Sequence, residues 1–295
     1  MIDDATPIPL ATLRPRSIAW RRATDRIVKV LASLAAMVGL VALAWILGVV
    51  IARGAAALNW SFFTRLPRPP GVDGGGLIHA IYGTVAMTGL GTLIGVPIGL
   101  MAGVFLAEFA RNSRWAHPIR FSANVLMGTP SILIGVFVYA LIVMPLGHFS
   151  GYAGAVALAI IILPVVTRTT EDMLNLVPDT LRESALALGA PRWKVTLGIV
   201  FRAARSGLLT GIILSVARAS GESAPLLFTA LNSPYWSASL SQPMGNLTVT
   251  IFNYAMSPYP DWQQMAWGAS LLITAGVLSL MLVSRMLLRE SRRPW

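Results

Sequence analysis

Apolar residues along this 295-residue chain gather into long blocks, with most charged residues held in the stretches between them. The blocks fall at 31–52, 79–107, 123–146, 150–167, 206–231 and 265–288. A hydrocarbon core takes about 20 helical residues to cross, so each block is predicted to be one transmembrane helix. The short link at 147–149 makes the third and fourth an antiparallel hairpin. Backbone polar groups in lipid must be satisfied inside the segment, which leaves an all-α membrane protein with six transmembrane helices as the expected fold.

Charge sets the orientation. With an even number of spans the two termini share a side, and 19 of the 23 Lys and Arg residues fall on it when Arg285 at the inner end of the sixth block is counted with the tail, against three opposite and Arg218 within the fifth block. Basic residues stay cytoplasmic, so the chain is expected to be N-in and C-in. The layout is then a basic cytoplasmic N-terminus at 1–30, an external loop at 53–78, cytoplasmic loops at 108–122 and 168–205, an external loop at 232–264 and a cytoplasmic tail at 289–295. The formal charge of +11 follows from that asymmetry and needs no nucleic-acid partner. A charged fraction of 12% agrees with a partner that is membrane lipid, since soluble domains carry about 25%. The first block exceeds the roughly 7–15 residues of a signal-peptide core, so it is expected to be a retained anchor, although Ala55-Ala56-Ala57 has the composition of a cleavage site.

Small residues suggest how the spans pack. Gly91, Gly95, Gly99 and Gly103 recur every fourth position in the second block, and Gly207, Gly211 and Ser215 repeat the pattern in the fifth. Such steps let a second helix approach the backbone closely. Pro97 and Pro130 remove backbone donors, which a span tolerates where neighbours or a polar cavity satisfy the freed carbonyls. No cysteine is present, and the three histidines stand far apart without a ligand pattern, so no metal site is expected. Gly74-Gly75-Gly76 lacks the lysine of a phosphate-binding loop and lies in an outward segment. No cofactor is expected on this chain, nor an enzymatic site.

The inward loop at 168–205 has helical punctuation of its own. Thr180 followed by Glu183 fits a capping box, residues 181–188 favour helix, and Gly189 with Pro191 ends it. Leu181, Ala185 and Leu188 would share one face, which predicts a protein partner in the cytoplasm. Glu183-Ser184-Ala185, three residues, then Gly189 resembles the EAA loop of ABC-transporter permeases, whose short coupling helix docks on an ATPase subunit. Ile199 continues that pattern; Phe201 and Arg202 stand where it carries Leu and Pro.

A second stretch narrows the resemblance. Residues 218–230, with Arg218, Gly221, Glu222, Pro225 and Phe228, are similar to the fifth span of the PstA-type permeases of phosphate-specific ABC importers. Arg168-Thr169-Thr170-Glu171, Gly128-Thr129-Pro130-Ser131 and Trp262-Gln263-Gln264 fit the same family. The resemblance implies a type I ABC importer permease fold with its core at about 79–288. It also implies a bacterial inner-membrane location, a second related permease subunit, two copies of a cytoplasmic ATPase carrying ATP and Mg, and a periplasmic phosphate-binding protein.

The ionisable residues can be read in two ways. Arg218 and Glu222 are four apart in an apolar block, where each charge costs roughly 2.5–3.5 kcal/mol, so they must face protein or water. They form either a self-neutralising structural pair or an anion contact in which Glu222 holds the guanidinium of Arg218. Arg168 is either a positive-inside anchor or a second anion contact. Thr129 and Ser131 either bond their own helix or present hydroxyls to a pathway. Tyr235, Trp236, Phe252, Tyr254, Tyr259 and Trp262 of the outward loop fit an interfacial aromatic belt or a docking surface for the binding protein; Arg65 and Arg68 fit that surface or, with Pro67, Pro69 and Pro70, an extended linker. The expected function is a phosphate-importing permease subunit. An ABC permease for another oxyanion, an ion-gradient-coupled carrier using Arg218 and Glu222, and a membrane scaffold are the rivals.

Overall fold

The computed structural model describes residues 18–72, 74–111 and 113–290. Most of the expected cytoplasmic N-terminus and the end of the tail lie outside the described residues. Two units divide the chain, Met1–Val49 and Val50–Trp295, and the second carries the site. Helix α1 (Ile18–Gly54) starts ahead of the first apolar block, with Asp25 and Lys29 paired one turn apart at 3.6 Å on its polar end. The boundary expected at residue 31 marked where apolarity begins rather than where the helix does.

In the second unit a 3₁₀ turn (Ala55–Ala57) and the short α2 (Trp60–Thr64) lead to α3 (Ile78–Val104), which ends in a π turn (Phe105–Phe109). α4 (Ala116–Gly128) and α5 (Ser131–Val138) follow, the latter extended by a π turn (Tyr139–Val143) into α6 (Met144–Leu146). α7 (Gly151–Asn175) is continuous through the fourth apolar block and eight residues beyond it to Asn175, because Arg168, Glu171 and Asp172 lower hydropathy without breaking the helix. After α8 (Asp179–Ala187), α9 (Arg192–Val195) passes through a π turn (Thr196–Val200) into α10 (Phe201–Ser220). α11 (Ala224–Thr229), α12 (Leu247–Ala255) and α13 (Pro260–Glu290) complete the chain.

Among the described residues, five helices are long and apolar enough to cross a membrane, or six when the bent pair around Thr129-Pro130 counts as one span. The third block is thus a broken span, bent by 106°. Pro130 lacks an N–H and holds Thr129 extended at φ −74°, ψ 131°, so α4 cannot run on into α5. The fifth block is broken as well. α10 stops at Ser220, and Pro225 in the first turn of α11 would clash with the carbonyl four residues back in a continuous helix. The expected i,i+4 placement of Arg218 and Glu222 on one helix is corrected accordingly: Arg218 ends α10, and Glu222 sits in the break. The outward segment at 232–264, expected as a loop, contains the buried α12, capped by the Asn246 side chain accepting from the Val249 amide at 2.8 Å.

The core is built on the contact of α3 with α7. Gly91, Gly95, Gly99 and Gly103 are all buried. A Cβ at these positions would lie 2.9, 2.9, 2.8 and 2.6 Å from the carbonyl oxygens of Ala155, Ala159, Leu163 and Thr167 respectively. The two stripes march in the same four-residue step, so only hydrogen at each glycine permits the approach. Met87, Leu158, Ile162, Val166, Ala219, Leu226 and Val249 close over this pair and bring α10, α11 and α12 onto it.

Replacing Gly95 by Leu should therefore separate α3 from α7 and destabilise the fold by about 1–3 kcal/mol, the usual cost of overpacking. Gly89→Ala, at a position with nothing within 4 Å, should be neutral. Thermal melting of both variants in detergent checks the contrast.

Candidate functional site

The two broken spans face each other. α5 packs on α11 so closely that a Cβ at Gly135 would lie 2.7 Å from the Cα of Pro225. Between the breaks lies a small cavity of about 20 Å³, lined by Leu126, Met127, Thr129, Ser131, Ile134, Ile161, Val165, Arg218 and Glu222. The structure thus brings together four of the five residues singled out for a pathway. A volume near that of one water is too small to hold an oxyanion within this chain.

Within it, Arg218 Nε and Glu222 Oε1 are 3.9 Å apart, an ion pair without a hydrogen bond. Arg218 is 59% exposed and Glu222 17%. A self-neutralising pair would close to hydrogen-bond distance; here it does not, and most of the Arg218 side chain lies on the surface of the chain beside the cavity. The position of Glu222 is fixed by its backbone, whose carbonyl oxygen accepts from Thr248 Oγ1 of α12 at 2.9 Å. Thr129 donates its hydroxyl to the Val125 carbonyl at 2.7 Å, as span hydroxyls commonly do. Ser131 opens α5, whose first turn has no side-chain cap and leaves its amide dipoles at the cavity.

Arg168 is not brought to this cavity. Its guanidinium lies 3.1 Å from Glu171 Oε2 and 3.5 Å from Asp172 Oδ2. Glu171, 3% exposed, also accepts from Arg120 of α4 at 2.6 Å. Two cations on one buried carboxylate tie α4 to α7, and sequence reasoning offered no pairing for Arg120.

The cytoplasmic segment forms the expected short helix, α8, but not through the expected cap. α8 begins at Asp179 after Pro178, so Thr180 lies inside the first turn and no capping box forms. Its other end fits the expectation: Gly189 takes φ +82°, and the Ala190 amide reaches back to the Ala185 carbonyl at 3.2 Å. The shared apolar face is also corrected. Ala185 turns inward against Leu174, Val195 and Val200, whereas Leu181 and Leu188 point to solvent, Leu188 at 89% exposure. Glu183 and Ser184 are exposed on the same outer surface.

Sequence reasoning missed the residue that holds α8 in place. The Arg182 side chain is nine-tenths buried and lies 2.8 Å from Glu108 at the end of α3 and 3.1 Å from Asp179. It also donates to the carbonyls of Leu174 at 2.6 Å and Val177 at 2.5 Å, where α7 ends. A basic residue in a cytoplasmic loop looks like an orientation signal; only the carboxylate at Glu108, 74 residues away, distinguishes it. Asn246 and Thr248 were missed too, being polar residues in a segment taken for a surface loop.

On the outer side, Tyr254 stacks on Trp262 at 4.6 Å and Trp236 lies 5.2 Å from Tyr82. Trp262 Nε1 donates to the Arg68 carbonyl at 3.2 Å, joining the outward loop after α2 to the start of α13. Tyr235 is exposed.

Broken spans around an ion pair, with an exposed helix on the basic side, fit a membrane transport subunit. The model of the family of binding-protein-dependent transport system inner membrane components matches residues 95–293. The chain is 46% identical to the phosphate transport system permease protein PstA of Yersinia pestis, over 99% of this chain and 98% of that protein. It is 46% identical to PstA of Haemophilus influenzae over 92% of this chain and 96% of that protein, and 36% identical to PstA 1 of Mycobacterium tuberculosis strain H37Rv over 95% and 92%. Among solved structures, the MetNI methionine ABC transporter in an inward-facing conformation aligns with a TM-score of 0.61 at 20% identity, covering 74% of this chain and 96% of that one. The chain belongs to the PstA family of permeases, multi-pass proteins of the bacterial inner membrane.

If Arg182 holds α8 against α3 and α7, Arg182→Met should leave Glu108 buried and unpaired and cost about 3–5 kcal/mol. Adding Glu108→Gln should recover part of that loss. Hydrogen exchange across residues 176–200 and melting of the single and double variants test this.

Proposed function

We propose that this chain forms half of a phosphate conduit, pairing with a second related permease subunit above two copies of a cytoplasmic ATPase and below a periplasmic phosphate-binding protein. The observation that carries the reading is the open guanidinium of Arg218, set between two span breaks and 3.9 Å from a carboxylate that does not quench it. Five N–H donors in a rigid fork suit a tetrahedral oxyanion, and the first-turn amides of α5 add partial positive charge beside it. Glu222 supplies selectivity. A carboxylate only accepts hydrogen bonds, so it favours an anion that carries its own P–OH, which hydrogen phosphate does and sulfate does not. Thr129 and Ser131 then act as pathway wall. Arg168, already occupied by Glu171 and Asp172, serves as an anchor; as a second anion contact it would first have to leave them.

Power comes from outside the chain. Leu181, Leu188 and Trp193 are exposed on a polar cytoplasmic segment, a surface suited to burial in an ATPase groove. ATP and Mg act on that partner, and Glu183, Ser184, Ala185 and Gly189 form the coupling element that receives its motion. The small cavity at Arg218 opens when α8 is displaced.

In vesicles holding the whole transporter, Arg218→Gln should abolish uptake of labelled phosphate while the complex still assembles. Loss of assembly instead would return Arg218 to a structural role. Excess sulfate or molybdate should not compete in the unaltered transporter; strong competition would displace phosphate as the cargo. Survival of transport without the ATPase, and its collapse with the ion gradient, would favour a carrier.

The Glu183→Lys variant should hydrolyse ATP without moving phosphate, since a cation replaces the carboxylate facing the ATPase. Measured phosphate-to-ATP ratios equal to those of the unaltered complex would remove Glu183 from the coupling role.

A further inference from the structure

On the cytoplasmic side of Arg218, α7 and α10 pack closely, with Thr169 against Gly211 and Met173 against Gly207, and together with α13 they border a second cavity of about 780 Å³. Thr169 and Met173 line it from α7, Ser206, Thr210 and Leu214 from α10, and Arg285 from α13. The two cavities share no lining residue, but they lie along the same helix faces. On α7, Ile161 and Val165 line the small cavity, and Thr169 and Met173 follow at the same four-residue step in the large one. On α10, Arg218 is followed toward the cytoplasm by Leu214, Thr210 and Ser206, again in steps of four. Residues four apart lie over one another on a helix, and the two helices run antiparallel, so the strips lie side by side. Ser206 is about 18 Å from Arg218 along the axis at 1.5 Å per residue.

The chemistry of this cavity is unspent. Among the described residues Arg285 has no carboxylate within ion-pair distance. Thr210 donates to the Ser206 carbonyl at 2.7 Å, whereas the hydroxyls of Thr169 and Ser206 make no hydrogen bond there. A single cation deep in a span would trap an anion; conduction requires a following site that makes departure favourable. Leu214 separates the two cations by an apolar turn, so an anion that leaves Arg218 has a donor set to move toward.

We propose that Arg285, with the hydroxyls of Thr169 and Ser206, is a cytoplasm-side oxyanion station through which phosphate passes after Arg218. This rests on the conduit reading of Arg218. The phosphoryl group of an anionic lipid presents the same oxygens to the same donors, and the two sources differ in what supplies them.

The test uses the complete transporter, with its ATPases and binding protein, in vesicles of neutral phosphatidylcholine and in vesicles with added anionic phosphatidylglycerol. Uptake of labelled inorganic phosphate is read as maximal rate and half-saturating concentration. Arg285→Gln should lower the maximal rate roughly tenfold in both lipids, the loss of one charge-assisted contact, and leave half-saturation unchanged. Arg285→Lys should keep most of the rate, and Thr169→Val with Ser206→Ala should lower it about threefold. Normal uptake by Arg285→Gln overturns the station, as does a defect confined to anionic vesicles, which would mark a lipid-headgroup site. Should Arg285→Gln fail to assemble, normal uptake by the Thr169→Val, Ser206→Ala variant overturns it. Arg218→Gln in the same assay separates the two claims. If it abolishes uptake while Arg285→Gln does not impair it, the station alone fails; if both are normal, the conduit fails with it.

Discussion

The close approach of α3 to α7 is the constraint on which the rest of this subunit depends. Four glycines on one helix meet four carbonyls on the other at distances that exclude any side chain. Lipid offers no hydrophobic drive for helices to associate, so contact of this kind has to come from backbone proximity and dispersion. The result is a two-helix plate with little slack. One face of α7 is spent on the glycines of α3. The residues Ile161, Val165, Thr169 and Met173 line the cavities instead, so the cavity wall rests on the tightest contact of the fold.

Against that plate the spans that carry the chemistry are broken. Each break frees backbone groups that lipid cannot satisfy, and each is repaired by polar side chains or by close packing. At the α10 break, the Glu222 carbonyl is met by Thr248, itself held by the Asn246 cap of α12. At the α4 break, α5 is clamped on α11 through Gly135. Placing both breaks at one level makes a polar pocket inside a bilayer without an exposed strand or loop edge. It also puts a guanidinium at the end of a helix, where its position can change by a movement of the break alone.

Legibility in the sequence followed the range of the signal. The glycine ladder could be read because its period and its residue type both name the contact, and span number and orientation followed from apolar length and basic residues. Arg218, Glu222, Thr129 and Ser131 could be picked out because polar residues in an apolar block are costly and therefore placed. Their meeting in one cavity depends on two breaks, and Pro130 and Pro225 hinted at these without giving the angle. Arg182 and Arg120 were not legible. Each is defined by a carboxylate far along the chain, and a lone arginine in a basic loop carries no mark of its partner. The capping box failed for a local reason, since Pro178 started the helix two residues early and moved Thr180 out of the cap.

The attachment of α8 decides how a push from the cytoplasm can reach Arg218. Arg182 binds Glu108, where α3 ends, and the last carbonyls of Leu174 and Val177, where α7 ends. A cation at helix C-termini is held by unpaired carbonyls and by the dipoles together, so this joint is stronger than a surface ion pair. Displacement of α8 therefore enters α3 and α7 at the same point, and the glycine ladder prevents the two from sliding apart to absorb it. If α8 is displaced as proposed, α3 and α7 would move together, carrying Ile161 and Val165 relative to Arg218 on α10. α10 is also reached by α9 through the π turn at Thr196–Val200, just as α3 reaches Glu108 through the π turn at Phe105–Phe109. α7 and α10 would thus receive the same stroke, and the two cavities lie along these helices.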